Sequence, residues 1–139
     1  MQLLVFFLLY PIIWFISILP FRILYLFSDM VYGLVYYVIG YRKKIVRHNL
    51  AIALPHLSAK ERLVIEKKSY HHLCDMFLEM IKTMSLSEKE MDKRFSFTNL
   101  ETLTNMEKEG KSIAVMMAHY ASYEWAISLN KYSALTSYA

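Results

Sequence analysis

The 139 residues are 56% hydrophobic, 15% aromatic and only 20% charged, with 3 Gly and 3 Pro, a composition too apolar and too poor in breakers for a disordered tail or linker. The net charge of +4 is mild, and a single cysteine, Cys74, excludes an internal disulfide framework and a cysteine-built zinc site. The apolar content is uneven: Arg22 and Asp29 are the two charged residues among positions 1–40, and the remainder has ordinary polarity.

From Leu3 to Phe21 no residue is charged, and a helix of that length, at about 1.5 Å per residue, matches the roughly 30 Å hydrocarbon core of a bilayer. A secretory signal would start basic, run shorter and end in small residues; this segment starts Met1-Gln2 and continues into Ile23 and Leu24, so an uncleaved anchor is expected. Pro11 and Pro20 punctuate the run. The second stretch, Phe21 to Tyr41, carries Arg22, Asp29, Gly33 and many tyrosines, as suits a segment at the lipid interface or against protein. One spanning or deeply embedded helix followed by an interfacial one is predicted. Arg42, Lys43, Lys44 and Arg47 follow, a cluster that fits anionic headgroups better than nucleic acid and, by the positive-inside tendency, sets the body on the cytoplasmic side. The plainer accounts are a solvated helix face for the charge run and, for the head, a helical hairpin within a larger soluble protein.

Between Tyr41 and Leu54 the apolar spacing predicts an amphipathic helix ending near Pro55. Ser58-Ala59-Lys60-Glu61 has the form of a capping box and opens a long helix. Along it Tyr70, Leu73, Phe77, Met80 and Met84 recur at steps of three and four, predicting one apolar core stripe. Ser87-Glu88-Lys89-Glu90 repeats the capping pattern and opens a short charged helix to about Arg94. His71-His72-Leu73-Cys74-Asp75 is the most metal-like stretch, but neighbouring helix residues point about 100° apart, so His71 and His72 cannot join Cys74 in one ligand set. A plain helical surface is predicted there.

After Arg94 the period changes. Phe95-Ser96-Phe97-Thr98 alternates as a short strand, Leu100 to Glu109 has helical spacing, and Gly110 is a natural helix stop. Ser112 to Ala118 is an uncharged run with the length and Ile/Val content of a buried strand, followed by a helical Tyr120 to Lys131 and a possible further strand at Ala134 to Tyr138. The expectation is an α/β chain: membrane anchor and interfacial helices over 1–40, cytoplasmic helices over 41–94, and the start of a β–α–β core over 95–139, cut short by the end of the chain.

That topology sets His119 at the carboxyl end of a strand, where open α/β sheets bind ligands. Glu124 stands five residues on; along one continuous helix the two side chains would lie about 140° apart, so they meet only if His119 precedes the helix and Glu124 lies in its first turn. Ser122 is then a plausible N-cap. A carboxylate on one imidazole nitrogen fixes the tautomer and raises the basicity of the other, which can take a proton from a hydroxyl. A satisfied buried histidine beside a surface glutamate accounts for the pair equally well. The same spacing at His56 and Glu61 is rejected, because no apolar strand precedes His56 and Glu61 has a capping role.

The apolar anchor, Arg42-Lys43-Lys44-Ile45-Val46-Arg47-His48-Asn49-Leu50 leading to Ala53-Leu54-Pro55, Phe77-Leu78-Glu79, and Gly110-Lys111-Ser112 before a strand ending in His119 together resemble the lipid A biosynthesis acyltransferases, the lauroyl- or myristoyl-transferring members of the lysophospholipid acyltransferase superfamily. The resemblance implies His119 as general base and Glu124 as the acid that orients it, with backbone amides of the following helix facing the oxyanion. It implies transfer of a fatty acyl group from an acyl carrier protein thioester to a hydroxyl of a lipid A-like glycolipid at the bacterial inner membrane, the catalytic part facing the cytoplasm. No metal or redox cofactor and no nucleic-acid partner is implied. Between the two residues the family usually carries a Gly-Asn-Trp-like run, where this sequence has Ala121-Ser122-Tyr123. Such enzymes are about twice this length, so this piece alone is expected to be inactive. The alternative is a non-catalytic membrane-anchored interaction protein, or an acyltransferase remnant.

Overall fold

A computed structural model describes residues 2–136, which pack as two units divided between Met84 and Ser85. In the first, α1 (Gln2–Ile18) is followed by α2 (Phe21–Tyr32), which runs on as a π-helix (Gly33–Ile39), then by α3 (Lys43–Ala53) and α4 (Ala59–Lys82). The charge-free run is therefore not one helix. Proline fixes its own φ and disfavours helical geometry in the residue before it; α1 carries Pro11 within it, but it stops at Ile18, and Pro20 opens α2. At about 1.5 Å per residue α1 extends roughly 25 Å. Among the described residues, the helix with the length and composition to cross a membrane is instead Phe21–Ile39, 19 residues.

The π-helix ends at Gly40, whose φ of +66° is left-handed and whose N–H bonds Val35 O at 3.0 Å; glycine enters this region without the Cβ clash of other residues. Arg42, φ +50°, repeats the left-handed turn and delivers the chain into α3. The box that opens α4 is complete: Ser58 Oγ accepts from Glu61 N at 3.3 Å, and Ser58 N donates to Glu61 Oε2 at 2.7 Å.

The stripe expected along α4 is displaced. The buried row is Glu66, Tyr70, Cys74, Leu78 and Lys82, whereas Phe77 is 52% and Met84 49% exposed. The cause is a set of polar bridges from α4 to the head, met in opposite chain order as in an antiparallel pair. Lys82 Nζ donates to Ser17 O at 2.6 Å and Leu19 O at 2.9 Å, supplying donors to the carboxyl end of α1. Tyr25 Oη donates to Glu79 Oε1 at 2.5 Å. His71 Nε2 lies 2.6 Å from Asp29 Oδ1, and its Nδ1 3.1 Å from Asp75 Oδ2. Tyr36 Oη donates to Glu66 Oε1 at 2.9 Å. A hydrophobic periodicity cannot anticipate a core row whose ends are a glutamate and a lysine. Nor is His71 the plain surface expected: it bridges α2 and α4.

The second unit contains α5 (Glu88–Arg94), α6 (Leu100–Lys108) and a 3₁₀-helix (Tyr123–Tyr132). Ser87 Oγ accepts from Glu90 N at 3.3 Å, but the Glu90 carboxylate turns to Lys93 at 2.7 Å, so only half of that capping box forms. Met91, Trp125 and Ala126 are buried, the Phe97 and Tyr132 rings lie 5.8 Å apart, and Lys131 Nζ pairs with Asp92 at 3.0 Å.

The α/β expectation is overturned. The described residues are 71% helical, and no strand or sheet occurs among them. Phe95–Thr98 and Ser112–Ala118 are non-helical but pair with no neighbour. A strand is defined by its ladder, and β-prone sequence without a partner remains exposed chain; Met116 is 91% and Val115 51% exposed. No β–α–β core forms among the described residues, and the helix expected after His119 is the tighter 3₁₀ form. Residues 134–136 form no strand, and the rest of the stretch expected as a further strand, 137–138, lies outside the described residues.

Candidate functional site

His119 sits exposed at the end of the non-helical segment, two residues before a sharp turn. The turn is made by Ala121 at φ +51°, a left-handed conformation that costs an L-residue about 1–2 kcal/mol. It stands where the resembling family usually has glycine, the residue that adopts this geometry freely. Ser122 follows as N-cap, without a side-chain bond to the helix amides, and Glu124 occupies the first turn of the 3₁₀-helix.

The turn places the His119 ring against Tyr123, centroids 4.4 Å apart at 57°. Burial and a hydrogen bond to Glu124 push the Tyr123 phenol up from its ordinary pKa. Imidazole, phenol and carboxylate thus form a chain of neighbours, with Tyr123 the member that sequence reasoning did not single out; an aromatic at the fifth position of the motif, directly before Glu124, was the available signal. Glu124 Oε2 is buried without a hydrogen-bond partner. A buried unpaired acceptor is costly.

At the second histidine with this spacing, His56 lies exposed in a turn and the Glu61 carboxylate is held by Ser58 N and Oγ, each at 2.7 Å. Those bonds keep the Glu61 carboxyl below the usual carboxylate range. Its role is the cap.

The basic cluster divides in two. Arg42 and Lys44 are exposed. Lys43 Nζ lies 3.9 Å from the Tyr36 ring centroid, a cation–π distance. Arg47 grips Glu66 through Nε at 2.9 Å and Nη2 at 3.2 Å. Burial of the Glu66 carboxyl opposes its charge, but the Arg47 and Tyr36 hydrogen bonds outweigh burial and hold it below the ordinary range. Arg47 therefore has a packing role inside the unit although its side chain remains 57% exposed. Beside it a groove of about 380 Å³ runs between α3 and α4, lined by Arg42, Ile45, Val46, Asn49 and Leu73 among others. Among the described residues no group of three His, Cys, Asp or Glu is placed to hold a metal ion.

A family model described as bacterial lipid A biosynthesis acyltransferase matches residues 1–136. No curated protein and no solved structure matches the chain.

Proposed function

The chain belongs to the bacterial lipid A biosynthesis acyltransferase family, and from that premise we propose that it moves a fatty acyl group from an acyl carrier protein thioester to a hydroxyl of a lipid A-like glycolipid at the cytoplasmic face of the inner membrane. The observation that carries the reading is the family match across residues 1–136. In it, residues 1–40 associate with the membrane, 41–94 form the cytoplasmic helical region, 95–139 contribute the reacting groups, and Arg42, Lys43, Lys44 and Arg47 lie toward the membrane surface.

In the reaction proposed, a free His119 ring nitrogen takes the proton of the acceptor hydroxyl as its oxygen attacks the thioester carbonyl carbon. The tetrahedral intermediate collapses, the carbon–sulfur bond breaks, and the leaving thiolate recovers the proton from the imidazolium. Glu124 offers the imidazolium a negative charge from the first turn of the helix, and the arrangement of base and orienting acid is that of acyl transfer in general. No metal or redox group takes part in this sequence of steps.

The test is acyl transfer in membranes that contain the natural protein, with an acyl carrier protein thioester as donor and the gain of one acyl chain on the glycolipid read by mass spectrometry. His119→Ala should lower transfer by about 100-fold or more, the usual scale of general-base loss, and His56→Ala should leave it within about twofold. Equal effects of the two substitutions would remove the support for His119, and no transfer from any thioester donor would overturn the reaction itself.

A further inference from the structure

We propose that the helix formed by α2 and its π-helical continuation, although long enough to cross a bilayer, lies in the plane of a single anionic phospholipid leaflet, with α4 on its aqueous side. The proposal rests on the reading of the chain as membrane-associated and specifies the lipid contact within it.

The argument begins with what α2 is tied to. Glu66, His71 and Glu79 of α4 meet Tyr36, Asp29 and Tyr25 in reverse order, so the two helices run side by side along most of the candidate span. Level with those bridges, α4 carries Lys68 and His72, both exposed. If α2 stood along the membrane normal, α4 would have to stand beside it in the hydrocarbon, carrying these polar groups into lipid, where charged side chains are strongly disfavoured. Laid in the plane, the pair separates its faces. Leu24, Ser28 and Tyr36 are buried, while Ile23, Leu26, Met30, Leu34 and Val38 recur at steps of three and four and are each at least half exposed. That amphipathic division is the form of an interfacial helix, whose apolar face enters about 5–10 Å. Arg22 at one end and Arg42 and Lys44 beyond the other are exposed; in the plane, all three reach the headgroups of one leaflet.

The test is a depth series by spin labelling. In a Cys74→Ala background, Ile23→Cys, Leu26→Cys, Met30→Cys, Leu34→Cys, Val38→Cys and His72→Cys are made one at a time, labelled, and placed in vesicles of phosphatidylglycerol and phosphatidylethanolamine. Collision with oxygen and with a water-soluble nickel complex gives depth. The stripe labels should share one shallow depth, about 5–10 Å below the headgroups, and the His72 label should contact the nickel complex freely. A crossing helix would spread labels 23 to 38 over about 22 Å along the normal, deepest near Met30; that profile, or a lipid-facing His72 label, overturns the proposal. The same series with Cys74 retained, whose residue is 5% exposed and resists brief labelling, guards against loss of fold in the Cys74→Ala background. Flotation of the unmodified chain with these vesicles in high salt separates the two readings. Failure to float overturns membrane association as a whole, whereas floating with a crossing depth profile overturns only the in-plane placement.

Discussion

Ala121 and His71 carry conformational and electrostatic loads that their neighbours impose. At Ala121 the φ of +51° is the geometry that turns His119 back over Tyr123, and a methyl group opposes it. Ala121→Gly removes that opposition at the cost of a freer unfolded chain, and the balance at a left-handed site favours glycine by about 0.5–1 kcal/mol. Urea unfolding followed by the fluorescence of buried Trp125, with Trp14 replaced by Phe, should show the midpoint rise; a fall would mean that the turn is not strained. His71 stands between Asp29 and Asp75 with the Tyr32 ring 5.3 Å away. The Asp29 hydrogen bond raises its pKa above the ordinary histidine value, against the opposing effect of burial, with Asp75 adding to the rise. Because the folded pKa is raised, the contribution is full below the unfolded value of about 6.5 and is lost as pH rises through the folded value. Measured stability should therefore decline with rising pH across that window in the natural chain and decline less in His71→Gln, whose amide keeps hydrogen bonding but cannot titrate. Parallel pH profiles would show that the bridge does not depend on the proton.

At the level of elements, what was legible in the sequence was what local chemistry decides. Ser58 and Glu61 reach each other within one turn, so the start of α4 could be read from four residues, and Pro55, Gly110 and the spacing of α3 and α6 set limits for the same reason. The burial of α4 was not legible, because it depends on partners distant in sequence: Lys82 on carbonyls of residues 17 and 19, Glu66 on Tyr36 and Arg47. Of the apolar positions that periodicity selects, Tyr70 belongs to the buried row, whereas Phe77 and Met84 are exposed. The strand reading of 112–118 failed for a related reason. Val115 and Met116 have strand-forming neighbours in sequence but no ladder partner among the described residues, and burial is a property of the pair. For the candidate site, residue spacing set only a condition, that His119 and Glu124 can meet if the first precedes the helix and the second lies in its first turn; the Tyr123 ring beside His119 and the left-handed Ala121 are consequences of the backbone turn and are invisible to spacing.

On the scale of the whole molecule, the apolar head serves as more than an attachment, which changes what its removal should do. Treated as a simple anchor, residues 1–40 could be cut away to leave a more soluble chain starting near Tyr41. In the structure that cut takes Asp29 from His71, Tyr25 from Glu79, Tyr36 from Glu66, and the carbonyls of Ser17 and Leu19 from Lys82. It also uncovers Tyr70, Cys74 and Leu78. Helix formation in water is marginal without tertiary packing, and the surface uncovered is a contiguous apolar strip of the kind that drives association. The shortened chain should therefore lose a large part of its α4 helicity by circular dichroism and self-associate at micromolar concentration, while the intact chain in vesicles keeps its helicity and floats with them in high salt. A soluble, monomeric chain from Tyr41 onward with the full helical signal of α3 and α4 would show that the bridges to the head are incidental, and that α4 is held by α3 alone.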